Sequence, residues 1–138
     1  MTLREASEAD VPLLARLNRQ LIEDERSPNP MSVAQLDSRI RRWLDANYRA
    51  IIFERDSETL AYALFRPDEA GIYLRQFFVC REHRRRGVGR RAFKLLRENV
   101  VPPGQSLSLE VLVHNEASLA FWRSLGLREH AMSFRIDS

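Results

Sequence analysis

Phe77-Phe78-Val79-Cys80-Arg81-Glu82-His83-Arg84-Arg85-Arg86-Gly87-Val88-Gly89-Arg90 runs from an apolar strand, through clustered arginines, into a glycine-flanked helix start. Each part has a physical reading. Glycines let a backbone come close to a ligand, and the first-turn N–H groups of a helix have no partners inside the helix. The positive end of the helix favours an anion, and the arginines add charge and donors. Together these describe a cradle for a diphosphate, set between Arg84 and Arg90. Charge elsewhere agrees with a local site. Residues 81–98 hold eight Arg or Lys against two Glu, a balance of +6 within a chain of net +3, so the remainder sums to −3.

Working outward, Ile72 to Val79 is an apolar run that reads as a central strand, and Val88, Ala92, Leu95 and Leu96 share a helical face until Pro102-Pro103-Gly104. Upstream, Ala50 to Phe53 and Leu60 to Phe65 read as a hairpin around Arg55-Asp56-Ser57-Glu58. Leu3 to Ala6 reads as a first strand. Two helices follow it, one carrying Val11, Leu14, Leu17 and Leu21, the other Val33, Leu36, Ile40, Trp43 and Leu44, separated by Pro28 and Pro30. Downstream, Leu107, Leu109, Val111 and Val113 alternate as in a strand, and Asn115 can cap a helix that stops at Gly126. His130, Met132, Phe134 and Ile136 predict a last strand. The order is βααβββαβαβ, an α/β (α+β) domain with a mixed sheet, and residues 1–138 read as one domain.

Composition narrows the classes. At 138 residues, 44% hydrophobic and 30% charged, the chain can bury a core without staples. The single Cys80 makes no internal disulfide, and no Cys/His cluster has metal-ligand spacing, so no metal is expected. No apolar stretch has the length of a membrane span, and the N-terminus lacks a signal peptide's apolar segment; a cytoplasmic location is expected.

Rival readings of the basic loop are weaker. Gly87-Val88-Gly89-Arg90-Arg91-Ala92 fits the dinucleotide pattern G-x-G-x-x-A, but seven residues, Cys80 to Arg86, separate it from its strand. A P-loop is excluded because no Gly-Lys-Ser/Thr ending follows. A nucleic-acid surface would carry interleaved aromatics, which the loop lacks, so no nucleic-acid partner is expected. The bland reading is a solvated arginine run with a tight turn.

The chain resembles the GNAT superfamily of acetyl-CoA-dependent N-acetyltransferases. Arg84, Gly87 and Gly89 match its Q/R-x-x-G-x-G/A signature, and Asn115 to Leu127 is similar to its second motif, N-x-x-(A/S)-x-x-(F/L)-Y-x-x-x-G-F. The resemblance implies a mostly antiparallel sheet flanked by helices, with acetyl-CoA as cosubstrate. It implies that Phe77, Phe78 and Val79 pair with the pantetheine arm and polarise the thioester, and that Arg84, Arg85, Arg86, Gly87, Val88, Gly89 and Arg90 hold the diphosphate. Asn115 would bond the pantetheine region. Its cap role stands beside that one.

Trp122 departs from the family pattern, occupying the position of a Tyr that protonates the leaving thiolate. An indole donates a hydrogen bond but releases no proton near neutrality, so Trp122 is expected to pack in the core, to pack against the cofactor arm or to donate to sulfur. His114 is then a candidate acid, and Tyr73 stands where some relatives have a basic carboxylate, although a phenol titrates far above neutrality. Glu110 is a weaker candidate. For the acceptor, Glu23-Asp24-Glu25 ends the first helix, and Glu25 with Gln76 is the expected pair across the cleft. The expected partner is a small-molecule or peptide amine, with no membrane; a homodimer is in keeping with the resembled family. The function expected is acetyl transfer to a primary amine by direct attack in a ternary complex. The alternative is a catalytically silent acyl-CoA-binding module.

Overall fold

A computed structural model describes residues 1–138. Strand β1 (Thr2–Glu5) leads through a short 3-10 turn to helices α1 (Val11–Asp24) and α2 (Val33–Asp45). Strands β2 (Arg49–Arg55), β3 (Glu58–Pro67) and β4 (Gly71–Val79) follow, then α3 (Val88–Asn99), β5 (Ser106–Ser108) and α4 (Glu116–Ser124). The sheet order is β1-β2-β3-β4-β5, antiparallel throughout except for the parallel β4–β5 pair. The mixed, mostly antiparallel sheet predicted from sequence is present.

Strands β2 and β3 are apolar on both sides because the sheet is covered on both sides. Ile52, Tyr62, Leu64 and Phe78 pack under α1 and α2 with Leu14, Leu36 and Ile40. Phe53, Ala63, Phe65, Ile72 and Leu74 pack on the other face with Val88, Ala92, Phe93 and Leu96 of α3. Each fully buried Leu, Ile or Phe contributes about 1.5–3 kcal/mol, so the two layers, not helix propensity, hold the helices in place. The β2–β3 turn is Asp56-Ser57, both at positive φ (50° and 67°), which gives the twist that a two-residue hairpin needs.

The C-terminal third departs from expectation. The strand predicted over Leu107 to Val113 pairs only over Ser106–Ser108, and the predicted last strand is not formed: Met132, Phe134 and Ile136 lie 74%, 89% and 95% exposed. Alternation is a necessary condition for a strand, but a strand also needs a neighbour. Beyond Ser108 the chain leaves β4, and neither segment pairs with any strand of the sheet.

Gly71 fixes the contact that precedes this departure. A Cβ there would lie 2.0 Å from the Ser106 carbonyl oxygen, so only glycine lets β5 approach β4. Gly71→Ala is expected to cost about 3 kcal/mol and to lower Tm by about 10 °C in calorimetry. A Tm within about 2 °C of wild type would show that β5 can shift without cost.

Candidate functional site

The site begins with two irregularities in β4. Leu64 faces Gln76 and Phe65 faces Leu74, so Arg75 is an extra residue, a bulge. Alternation is thereby broken. Ile72 and Leu74 point to the α3 side, whereas Arg75 stacks on Trp43 of α2 and Gln76 meets Tyr62 on the α1–α2 side. Two consecutive polar side chains thus enter the same space. The second irregularity is on the opposite edge, where β5 pairs with Gly71, Ile72 and Tyr73 and then ends. From Leu74 to Val79 that edge of β4 has no strand neighbour, leaving backbone donors and acceptors for something else to use.

At the end of this open edge the chain enters the basic loop. Arg85 and Gly87 both adopt positive φ (64° and 74°), the alternating turn geometry that makes successive N–H groups converge. Gly87 is the N-cap of α3. No backbone carbonyl accepts from the N–H groups of Arg85 through Arg90; the next, that of Arg91, bonds Gly87 O at 3.1 Å. These free donors lie in the segment where the sequence leads one to expect an anion cradle. Gly89 serves packing as well, since a Cβ there would lie 3.1 Å from the Phe121 ring.

The arginines divide into two groups. Arg84 turns back, donating to Val79 O at 3.0 Å and to Asp24 at 2.6 Å, with its guanidinium 5.1 Å from the centre of the Phe78 ring. Arg81 binds Asp24 at 2.8 Å and Glu23 at 3.2 Å. Arg90 reaches Ser124 O at 3.2 Å and Arg91 reaches Arg86 O at 3.3 Å. Of the arginines from Arg81 to Arg91, only Arg85 and Arg86 have side chains without a protein partner. Crowding by neighbouring atoms pulls the Asp24 carboxyl upward most strongly, but the bonds from Arg81 and Arg84 together outweigh it and leave its pKa below the usual value.

Trp122 is a packing residue here. Its ring lies 5.4 Å from Phe77, 5.3 Å from Phe93 and 4.8 Å from Phe121, edge to face in each case. This aromatic group seats α4 against β4 and α3. Asn115 caps α4, its side-chain oxygen accepting from Ser118 N at 3.3 Å, which leaves its amide hydrogens free. His114, just before it, is exposed. Tyr73 donates to Glu110 at 2.9 Å, and burial, followed by that bond, pushes its phenol up to about 12. It cannot take a proton as a phenolate near neutrality.

On the acceptor side, Gln76 accepts from the Tyr62 hydroxyl at 2.9 Å. Glu23 and Asp24 are neutralised by arginines, so the predicted acidic entrance reduces to Glu25, which makes no ion pair. Crowding, and then the Asp24 charge, raise the Glu25 pKa. The Glu25 charge disfavours ionisation of Tyr62 after burial does, and only Gln76 of the expected pair bonds the Tyr62 hydroxyl. Sequence reasoning missed Arg75 and the Trp43 platform. The available signal was Arg75-Gln76, two successive polar residues inside an apolar strand, which is how a bulge reads in sequence.

The family model for the acetyltransferase (GNAT) family matches residues 16–127, and the chain belongs to that family. The fold recurs in solved structures. A possible acetyltransferase from Clostridium difficile 630 aligns with TM-score 0.81 at 17% identity, over 99% of this chain and 96% of that one. The aminoglycoside 6′-N-acetyltransferase AAC(6′)-IG from Acinetobacter haemolyticus gives 0.72 at 18% identity, over 100% and 98%. The aminoglycoside N-acetyltransferase AAC(6′)-Iy in complex with CoA gives 0.74 at 14%, over 99% and 93%. At these identities the likeness is one of fold. No curated protein matches the chain in sequence, and no helix is long and apolar enough to cross a membrane.

The Asp24 brace has a pH signature. A carboxyl whose folded pKa is depressed stabilises the fold above its unfolded pKa of about 4, and that contribution is lost as pH falls through the lower folded value. In urea denaturation, Asp24→Asn should be less stable than wild type at pH 7, and the gap should shrink as pH is lowered from about 4. A gap that is constant down to pH 3 would remove the ion pairs as its cause.

Proposed function

We propose that this chain transfers an acetyl group from acetyl-CoA to a primary amine by direct attack in a ternary complex. The observation that carries this reading is the separation of β4 from β5 after Tyr73, with the unpartnered N–H groups of Arg85 to Arg90 at its end. An open strand edge suits the amides of a pantetheine arm, and the loop suits a diphosphate. The relative solved with CoA, named above, has the same fold.

In this reading the neutral amine attacks the thioester carbonyl carbon, and the backbone N–H groups around Phe77 to Val79 stabilise the oxyanion. The C–S bond then breaks, the amine's extra proton passes to solvent, and the thiolate takes up a proton. Trp122 has none to give. His114, exposed just before the Asn115 cap of α4, is the proposed donor, and Tyr73 bonds Glu110. Transfer through a cysteine is disfavoured because Cys80 is only 3% exposed and burial pushes its thiol up to about 11.

Two experiments test this. Gly87→Ala places a side chain at positive φ without a clash, since no atom lies within 4 Å of the added Cβ. The strain of about 1–2 kcal/mol should weaken acetyl-CoA binding by about tenfold in calorimetry while the protein stays folded. Unchanged affinity would remove the loop from the site. Separately, thiol release from acetyl-CoA with an amine panel should exceed the amine-free rate, and His114→Ala should flatten the alkaline limb of its pH–rate profile. Acetyl-CoA binding with no amine-dependent release would favour the silent module, and superimposed profiles would exclude His114 as the donor.

A further inference from the structure

Asn18 is the buried polar side chain of the core, with no exposed surface. Its oxygen accepts from Arg39 Nη2 at 3.2 Å, yet its own Nδ2 and Arg39 Nε are buried without a partner. The Arg39 guanidinium lies over the Trp43 ring at 4.4 Å, and the bulged Arg75 lies against the same ring at 4.6 Å. Arg75 also donates to the Tyr48 hydroxyl at 3.3 Å. Neither arginine forms an ion pair, although ten other basic side chains do.

Holding two like charges on one indole, one of them half-buried beside unsatisfied donors, is unfavourable unless an anion joins them. The effect is visible in Arg39, whose pKa is lowered by desolvation first and by Arg75 next. Glu25, an acid in no ion pair, and Arg39 act in opposite directions on the Tyr62 hydroxyl, the first raising its pKa and the second lowering it. Gln76, one residue from Phe77, accepts from that hydroxyl at 2.9 Å. The protein therefore presents two cations without ion pairs on the Trp43 ring, and a polar Tyr62–Gln76 pair whose hydroxyl responds to a carboxylate.

Resting on the proposed acetyl transfer, we infer that the acceptor is a free α-amino acid, its carboxylate held by Arg39 and Arg75 and its amine directed by Glu25 and Gln76 toward the Phe77 edge. Arginine suits this task because its planar donors match a carboxylate's two oxygens. A polycationic acceptor is disfavoured, because Arg39 and Arg75 would repel it.

The test uses the full chain with saturating acetyl-CoA and follows thiol release with the common α-amino acids, their carboxamides, a polyamine and an aminoglycoside. At least one free amino acid should turn over with a KM about tenfold or more below that of its carboxamide. Arg75→Met, whose exposed side chain is not needed for folding, should narrow that gap to within about twofold and leave the KM for acetyl-CoA unchanged. Equal KM values for acid and carboxamide, preference for the polyamine or aminoglycoside, or no amino-acid turnover by a protein that binds acetyl-CoA would each overturn the inference. Failure to bind acetyl-CoA in calorimetry would instead overturn the proposed function on which it rests.

Discussion

Between Gly71 and Tyr73 strand β4 shares its hydrogen bonds with β5, and beyond Tyr73 it does not. Most of the site depends on that separation. A central strand is normally paired on both edges, and an unpaired edge inside a domain is costly unless water or a ligand uses it. Here the contact at Gly71 brings β5 in, the end of pairing lets it leave, and the edge of β4 from Leu74 to Val79 is without a strand neighbour up to the basic loop. On the opposite edge the Arg75 bulge turns two polar side chains to the α1–α2 side. One strand thus has unpaired backbone on one edge and two polar side chains on the α1–α2 side.

The ion pairs of Asp24 with Arg81 and Arg84 connect these two regions. They tie the C-terminal end of α1 to the loop before α3, and Arg84 also holds the Val79 carbonyl. Individually, exposed pairs of this kind contribute about 0–1 kcal/mol, so their importance is geometric. They set the direction of α1 where it overlies the cleft and consume the acids that would otherwise have defined its charge. Arg39 and Arg75, both on the Trp43 ring, are in no ion pair.

Much of this was legible in the sequence. Periodicity located the helices, and the strand-to-glycine loop located the run of unpartnered backbone donors, because both signals are local. Trp122 packs among aromatic rings, a core role the sequence reading also allowed. What was not legible depended on neighbours. The alternation of Leu107 to Val113 and of His130 to Ile136 is a strand pattern, but beyond Ser108 neither segment pairs with the sheet. The Glu23-Asp24-Glu25 cluster looked like an acidic entrance because Arg81 and Arg84 are about sixty residues away in the chain. Arg39 and Arg75 converge only because α2 packs over a bulge, which composition does not report.

The central claim, that the open edge of β4 and the loop after it form one continuous cofactor site, is tested most directly by amide hydrogen exchange with and without CoA. Binding should slow exchange in two stretches together, Leu74 to Val79 and Arg85 to Arg90, while the β2–β3 hairpin is unaffected. Protection confined to other segments, or to the loop with no change along β4, would contradict it.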